Sequence, residues 1–377
     1  MPPTGSLHTL PSRAFSPSAQ RVAVVNPYMF SYPTVAAIVH AVKVSGIQPE
    51  VFQQDNDTRG SHDRFTPHIR DLYRFICREH IQSIRAFMPG RYNIIILSDW
   101  YPTGCQWTPN DVTCSHLIMQ LFKLGSLQHL IIHMHEPYNT VGSLYQSQWD
   151  TDVEMVARIK DDALRVLRDE RTTLLTAAPH VADYTKASLA LLDIHKEVGW
   201  FLQLFPWNTQ VVRKERHGFI VQGKIDPERR DYRPLLEGIM QHPGLLEHPD
   251  FSLRLVGAST GASVDIARSD KIWTVIDRSS FKEYYQELQT CAGIVPAFGH
   301  TRYLHSAASS TLFTSVLLGI PVIADDEMLE KYSYLTKEAV LYQGPHETVF
   351  DVMARTLRSE FQLDEASVFW KDLIRNG

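Results

Sequence analysis

The sequence holds little cysteine: Cys77, Cys105, Cys114 and Cys291 are the only four in 377 residues, and no two form a CxxC pair. That spacing excludes the paired-thiol motifs of zinc ribbons and dithiol redox sites. Four scattered thiols in a chain this large fit a reduced, intracellular setting. No uninterrupted apolar run reaches the ~20 residues that span a bilayer. Residues 1–20, rich in Pro and Ser, lack the roughly 7–15-residue apolar core of a signal peptide. They read as a disordered leader on a cytoplasmic protein. A basic excess is also missing, since Lys plus Arg number 37 against 42 for Asp plus Glu, a net charge of −5. A general nucleic-acid binder needs a broad basic surface to neutralise phosphates, so no nucleic-acid partner is expected.

What is present is ordinary in bulk, with 44% hydrophobic and 21% charged residues. The length exceeds that at which a single core usually stops growing, so two domains are expected. Short runs rich in Val, Ile and Leu alternate with amphipathic stretches. In the first half the runs are 21–26, 47–53, 93–99, 129–135 and 172–178, separated by helical stretches such as 33–45, 67–87, 111–124 and 152–167. In the second half they are 217–223, 251–257, 271–277, 292–298, 321–325 and 339–344. Continuous apolar runs of this length fit buried parallel strands covered on both faces. The alternation predicts α/β sheets with right-handed crossovers. The segment 206–216 ends in a charge cluster and suits a linker. The expected organisation is a leader (1–20), a first Rossmann-like domain (21–206), a linker (207–216), a second Rossmann-like domain (217–345) and C-terminal helices (346–377). A return crossing to the first domain is one course open to those helices. Two doubly wound domains leave a cleft, and ligands of such sheets bind beyond the carboxyl ends of the strands.

Three clusters lie at strand ends. Gly223, Lys224, Arg229 and Arg230 follow the first strand of the second half. A glycine there lets a ligand approach the backbone, and Lys224 with Arg229 would neutralise a diphosphate; the alternative is a solvated charged loop. Ser309, Ser310 and Thr311 precede the apolar run ending at Gly319, as N-cap residues do. A helix N-terminus is a natural phosphate seat. His133, His135 and Glu136 end the fourth strand. A histidine there can hydrogen-bond a sugar hydroxyl or move a proton, or can be a buried ring satisfied in place. Two apart on an extended strand, His133 and His135 share a face. No third ligand is suggested by spacing, so no metal site is expected.

These strings resemble motifs of the family 4 GT-B glycosyltransferases. The stretch GKIDPERRDY is similar to that family's G-R-x-x-P-E-K-G segment, with Lys224 and Arg229 at its two cationic positions. LLGIPVIA resembles its A-x-G-x-P-V-I-A, and HMHEP resembles its H-x-H-E-P strand end. The resemblance covers mainly residues 217–325. It implies a GT-B fold, two Rossmann-like domains facing an interdomain cleft, with the first on the acceptor side and the second holding the nucleotide sugar. The family also carries two carboxylates beside its last donor helix, and here those positions hold Ser306 and Thr314. A hydroxyl at Thr314 still hydrogen-bonds a ribose, without charge assistance.

Together these features predict a metal-independent glycosyltransferase. It would move a hexosyl group from a nucleotide diphosphate sugar, UDP- or GDP-linked, to a hydroxyl on a small molecule or glycan, with no bound cofactor. His133 or His135 would handle the acceptor hydroxyl, Glu136 would orient a histidine, and Asp99, ending the third strand, stands in reserve as base. Gly223, Lys224, Arg229 and Arg230, with Ser309, Ser310, Thr311 and Thr314, would hold the donor. The alternatives are an epimerase or phosphorylase on the same fold, or a sugar-nucleotide binder without catalysis. Two further features lie away from the strand ends. Asp150 and Asp152 have D-x-D spacing, which serves either a metal or, more simply, a helix start. Residues 64–91 space Arg70, Arg74 and Arg78 helically; the stripe fits either the solvated face of a packed helix or a weak peripheral contact with anionic lipid.

Overall fold

The computed structural model describes residues 20–27, 32–53, 82–100, 114–137, 141, 144, 153–207, 217–227, 229–257, 271–276 and 281–358. The leader up to residue 19, Asp150 and Asp152, the arginine stripe over 64–81 and the linker over 208–216 lie outside them.

Among the described residues the first half builds a seven-stranded sheet, and every strand pair in it is parallel. Its strands are β1 (Val22–Asn26), β2 (Glu50–Gln53), β3 (Gln82–Ser83), β4 (Ile94–Leu97), β5 (His129–Met134), β6 (Thr172–Thr176) and β7 (Val198–Trp200). They lie in the order β3-β2-β1-β4-β5-β6-β7. The runs VAVVN and IIIL carry no polar alternation because both sheet faces are covered. Helices α1 (Tyr32–Val44), α2 (Cys114–Lys123), α3 (Val153–Arg168) and α4 (Pro179–Ala190) supply the crossovers.

The second half repeats the plan with β8 (Phe219–Gln222), β9 (Leu253–Val256), β10 (Ile272–Ile276) and β11 (Gly293–Ile294) in the order β10-β9-β8-β11, all parallel. A parallel bridge between Ile294 and Val322 carries the sheet on to β12 (Ile323–Ala324) and β13 (Leu341–Tyr342). Its helices are α5 (Tyr232–Met240), α6 (Pro243–Leu246), α7 (Phe281–Leu288), α8 (Arg302–His305), α9 (Ser310–Leu318), α10 (Asp326–Lys331) and α11 (Val349–Arg358). Strand order reverses between β1 and β4 in one sheet and between β8 and β11 in the other. Those reversals open crevices at the carboxyl ends of the strands.

Two departures from the sequence expectation have local causes. The helical stretch expected over 67–87 gives way, in its described part, to β3 and a 3₁₀ turn over Ile84–Ala86. Gln82 donates to Glu50 of β2, and Ile84 and Phe87 turn into the core beneath the sheet. The run 292–298 is strand only over Gly293–Ile294, because Phe298 leaves the ladder to bridge Arg230. The short edge strand β7 had no signal beyond three residues. At the C-terminus, Val352 and Met353 of α11 are buried in the core of the second half.

One buried cluster runs without a break from Val22, Val35 and Val181 through Phe205 to Ile220, Leu312 and Tyr332. Each such side chain contributes roughly 1.5–3 kcal/mol when fully buried. The two halves therefore share apolar surface near the strand ends, where the candidate site lies.

Candidate active site

The first half contributes a set of polar groups at the ends of β1, β4 and β5. Ser98 Oγ donates to Asn26 Oδ1 at 2.9 Å, tying the two strand ends across the topological switch point. His133, fully buried in β5, lies with Nδ1 2.9 Å from the Ser98 carbonyl. A carbonyl only accepts, so Nδ1 carries the proton. Burial and, less strongly, the neighbouring His135 bring the ring down to about 3 against the opposing pull of this bond, so it is neutral at physiological pH. Its Nε2 is buried without a partner, and Phe201 abuts the ring edge-on at 5.3 Å.

Asp99 follows β4 and is buried. The Trp100 N–H donates to its Oδ1 at 2.9 Å, and the His135 N–H donates to the same carboxylate. Desolvation outweighs both bonds and, with repulsion from Glu136, raises this carboxyl to about 7. His135 stands one residue past β5 and is half-buried. Burial lowers its pKa, Glu136 opposes the shift, and the Arg229 charge from the second half adds to it. The two histidines thus differ: His133 is locked onto the sheet, and His135 is the one within reach of the second half's charge.

The second half answers with cations. Gly223 ends β8 at φ +112°, a conformation that favours glycine. Lys224 is exposed and lies 3.7 Å from Asp226. Arg229 donates from Nε to the Tyr303 phenol at 3.1 Å. Arg230 is buried and donates to the Gln222 carbonyl at 3.3 Å and to Thr311 Oγ1 at 3.1 Å. It pins the loop to the strand end and to the start of α9. Ser309 caps that helix by accepting from the Thr311 N–H at 3.3 Å, and Gly319 closes it at φ +63°. Ser310 is exposed at the first turn. Thr314 is buried and accepts from Gln222 at 3.1 Å, and Ser306 is half-buried just past α8.

Contacts between the halves bring these sets together. Arg302 feels the charge of Glu136. The His180 ring, at the start of α4, lies 3.0 Å from the Lys331 carbonyl and 3.3 Å from that of Ala307, edge-on to Tyr332. Trp200 stacks on Tyr334 at 5.9 Å. Four participants that the sequence does not single out are Arg302, Tyr303, Ser98 and Gly257, which packs against the Gly223 carbonyl too closely for a β-carbon. Gly257 ended an expected strand and so had a positional signal. Arg302 and Tyr303 lie on a four-residue helix with no motif of their own.

Among the described residues no group of three or more His, Cys, Asp or Glu is placed to hold a metal ion, and no helix is long and apolar enough to cross a membrane. No protein-family model matches the chain, and no curated protein sequence matches it. Solved structures do. The T4 phage protein BGT, bound to UDP and Mn2+, superposes with a TM-score of 0.52 at 9% identity, over 94% of each chain. HepE of Anabaena, bound to UDP and glucose, gives 0.52 at 10% identity, over 94% of this chain and 95% of that one. The N-terminal domain of Candida albicans trehalose-6-phosphate phosphatase gives 0.52 at 10% identity, over 95% and 94%. The chain has the GT-B fold of the glycosyltransferases.

Proposed function

We propose that the protein transfers a hexosyl group from a nucleotide diphosphate sugar to a hydroxyl of a small molecule or glycan. The observation that carries the reading is the pairing of opposites across the halves: a carboxyl raised to about 7 at Asp99 on one side, and Arg229 with its neighbouring cations on the other. A base poised near neutrality suits removal of a proton from an attacking hydroxyl. Cations and the first turn of α9 suit the charge that grows on a departing diphosphate. A fold alone hosts many chemistries; here neighbours of the same fold hold UDP, with glucose in one case, which favours a UDP-linked donor.

In this mechanism Asp99 takes the acceptor proton as the hydroxyl oxygen attacks the anomeric carbon, and the bond to the diphosphate breaks. The Asp99 carboxylate, held by the Trp100 and His135 N–H groups, stays in place. His133 orients the Ser98 loop that carries Asp99, and His135 with Glu136 lines the acceptor side. Gly223 lets the diphosphate approach the backbone, and Arg229 stabilises it as it leaves. With the arginines supplying positive charge to the diphosphate, turnover is expected without added Mn2+. The test is nucleoside diphosphate release from UDP- and GDP-sugars over an acceptor panel. Asp99→Asn should cut turnover by about 10²–10⁴-fold while leaving UDP affinity within a few-fold. Undiminished turnover in that variant rules Asp99 out as base.

A further inference from the structure

Arg229, Arg230 and Arg302 gather round the side chain of Tyr303. Arg229 Nε lies 3.1 Å and Arg302 Nη2 3.3 Å from the same phenol oxygen. The guanidinium carbon of Arg302 is 5.1 Å and that of Arg230 is 5.6 Å from the ring centroid. Phe298 stacks on the ring at 5.0 Å, and the Tyr332 hydroxyl donates to the Tyr303 carbonyl at 2.6 Å, so the ring is fixed. Burial on its own raises the phenol, yet Arg229, Arg302 and Arg230 hold it below its ordinary value. The phenol is thus an oxygen on which two cations already converge.

No carboxylate among the described residues makes a salt bridge with any of the three arginines. Glu136 and Asp226 act on Arg302 only through space. Arg302 Nε is buried without a hydrogen-bond partner. Like charges brought this close repel, and an arriving multivalent anion relieves the repulsion. Lys224 stands differently. Its side chain is 53% exposed and lies 3.7 Å from Asp226, so solvent and a carboxylate already offset its charge.

We infer that Arg302 is the second cation on the donor diphosphate, partnering Arg229, and that Tyr303 is the positioning residue that holds both guanidinium groups at the mouth of the cleft. The assignment rests on the donor reading above and names the residue in the place the spacing had given to Lys224. A guanidinium presents two parallel donors to phosphate oxygens, which an ammonium on a flexible stem does not. Selectivity for a diphosphate over a monophosphate follows, because the second cation is matched by a second phosphate.

The experiment is calorimetric titration of the full chain with UDP and UMP, with GDP and GMP run beside them. Wild type should bind the diphosphate more tightly than the monophosphate. Arg302→Ala should weaken diphosphate binding by about 10- to 100-fold and narrow the diphosphate-to-monophosphate ratio. Arg302→Gln, which keeps a polar side chain of intermediate length, should do the same and serves if the alanine variant does not fold. Lys224→Ala should stay within about threefold of wild type. Tyr303→Phe should narrow the same ratio and add little when combined with Arg302→Ala, because it acts through that residue. Wild-type diphosphate affinity in folded Arg302→Ala or Arg302→Gln overturns the assignment while leaving the donor reading intact. Absence of binding by wild type to either diphosphate overturns both.

Discussion

A β-carbon on Gly257 would lie 1.6 Å from the carbonyl oxygen of Gly223. The ends of β8 and β9 approach too closely there for any side chain, and the Gly223 N–H donates to Val256 at 2.9 Å in the same contact. Gly257→Ala must displace Gly223 and the loop behind it. Overpacking of this kind costs about 1–3 kcal/mol, to be read from urea unfolding, and UDP affinity should fall at least tenfold. A variant with unchanged stability and affinity contradicts this placement of the loop.

Asp99 ties pH to both activity and stability, with opposite signs. Turnover should rise with pH through about 7, where the carboxyl ionises. Its folded pKa is raised above the ordinary 3.8. The native state therefore holds the proton more tightly, and the stability this contributes is full below about 3.8 and lost as pH rises through about 7. Asp99→Asn removes the cost of burying the charge. It should raise stability at about pH 8 relative to wild type by on the order of 1–4 kcal/mol, with a much smaller gain near pH 4, measured by denaturant unfolding at both.

His133 works through its hydrogen bond and not through titration. Depressed to about 3, it stays neutral in the native state while the unfolded chain protonates near 6.5. Its contribution is thus present above about 6.5 and lost as pH falls towards 3. His133→Ala should cost about 1–3 kcal/mol and slow turnover by displacing the Ser98–Asp99 turn. The pH profile of the residual activity should keep its inflection near 7. Loss of that inflection would mean that the histidine, not the carboxylate, titrates in the reaction.

Arg230 is a structural pin. Its guanidinium bonds to Gln222 and Thr311 inside the second half, so Arg230→Ala should destabilise by about 2–4 kcal/mol, read from urea unfolding. A variant as stable as wild type would show that the pin bears no load.

Most of the fold was legible because its strands are continuous apolar runs. Residues 129–135 and 172–178 announced β5 and β6 almost to the residue. The edge strands β3 and β7 were not legible, since two or three residues carry no period. Among the candidate residues, Gly223 and Ser309 were readable as a strand-end glycine and a helix cap because special backbone geometry and capping leave local signatures. Spacing sets Lys224 and Arg229 on one loop where both can point into a cleft, but cannot reveal Tyr303, which reaches Arg229 from 74 positions away. Nor could it rank Asp99 above the histidines. The ranking comes from burial, which lowers both rings and raises the carboxyl.

The central claim, a nucleotide diphosphate held against Arg229, is tested most directly by thermal shift of the full chain with UDP, GDP, ADP and CMP. A ligand that binds only the folded state at about 100 times its Kd adds roughly 2.7 kcal/mol of stability. The account predicts a clear rise in melting temperature with at least one nucleoside diphosphate, little with CMP, and loss of the rise in Arg229→Ala. No shift with any of the diphosphates, or an undiminished shift in the Arg229 variant, would contradict it.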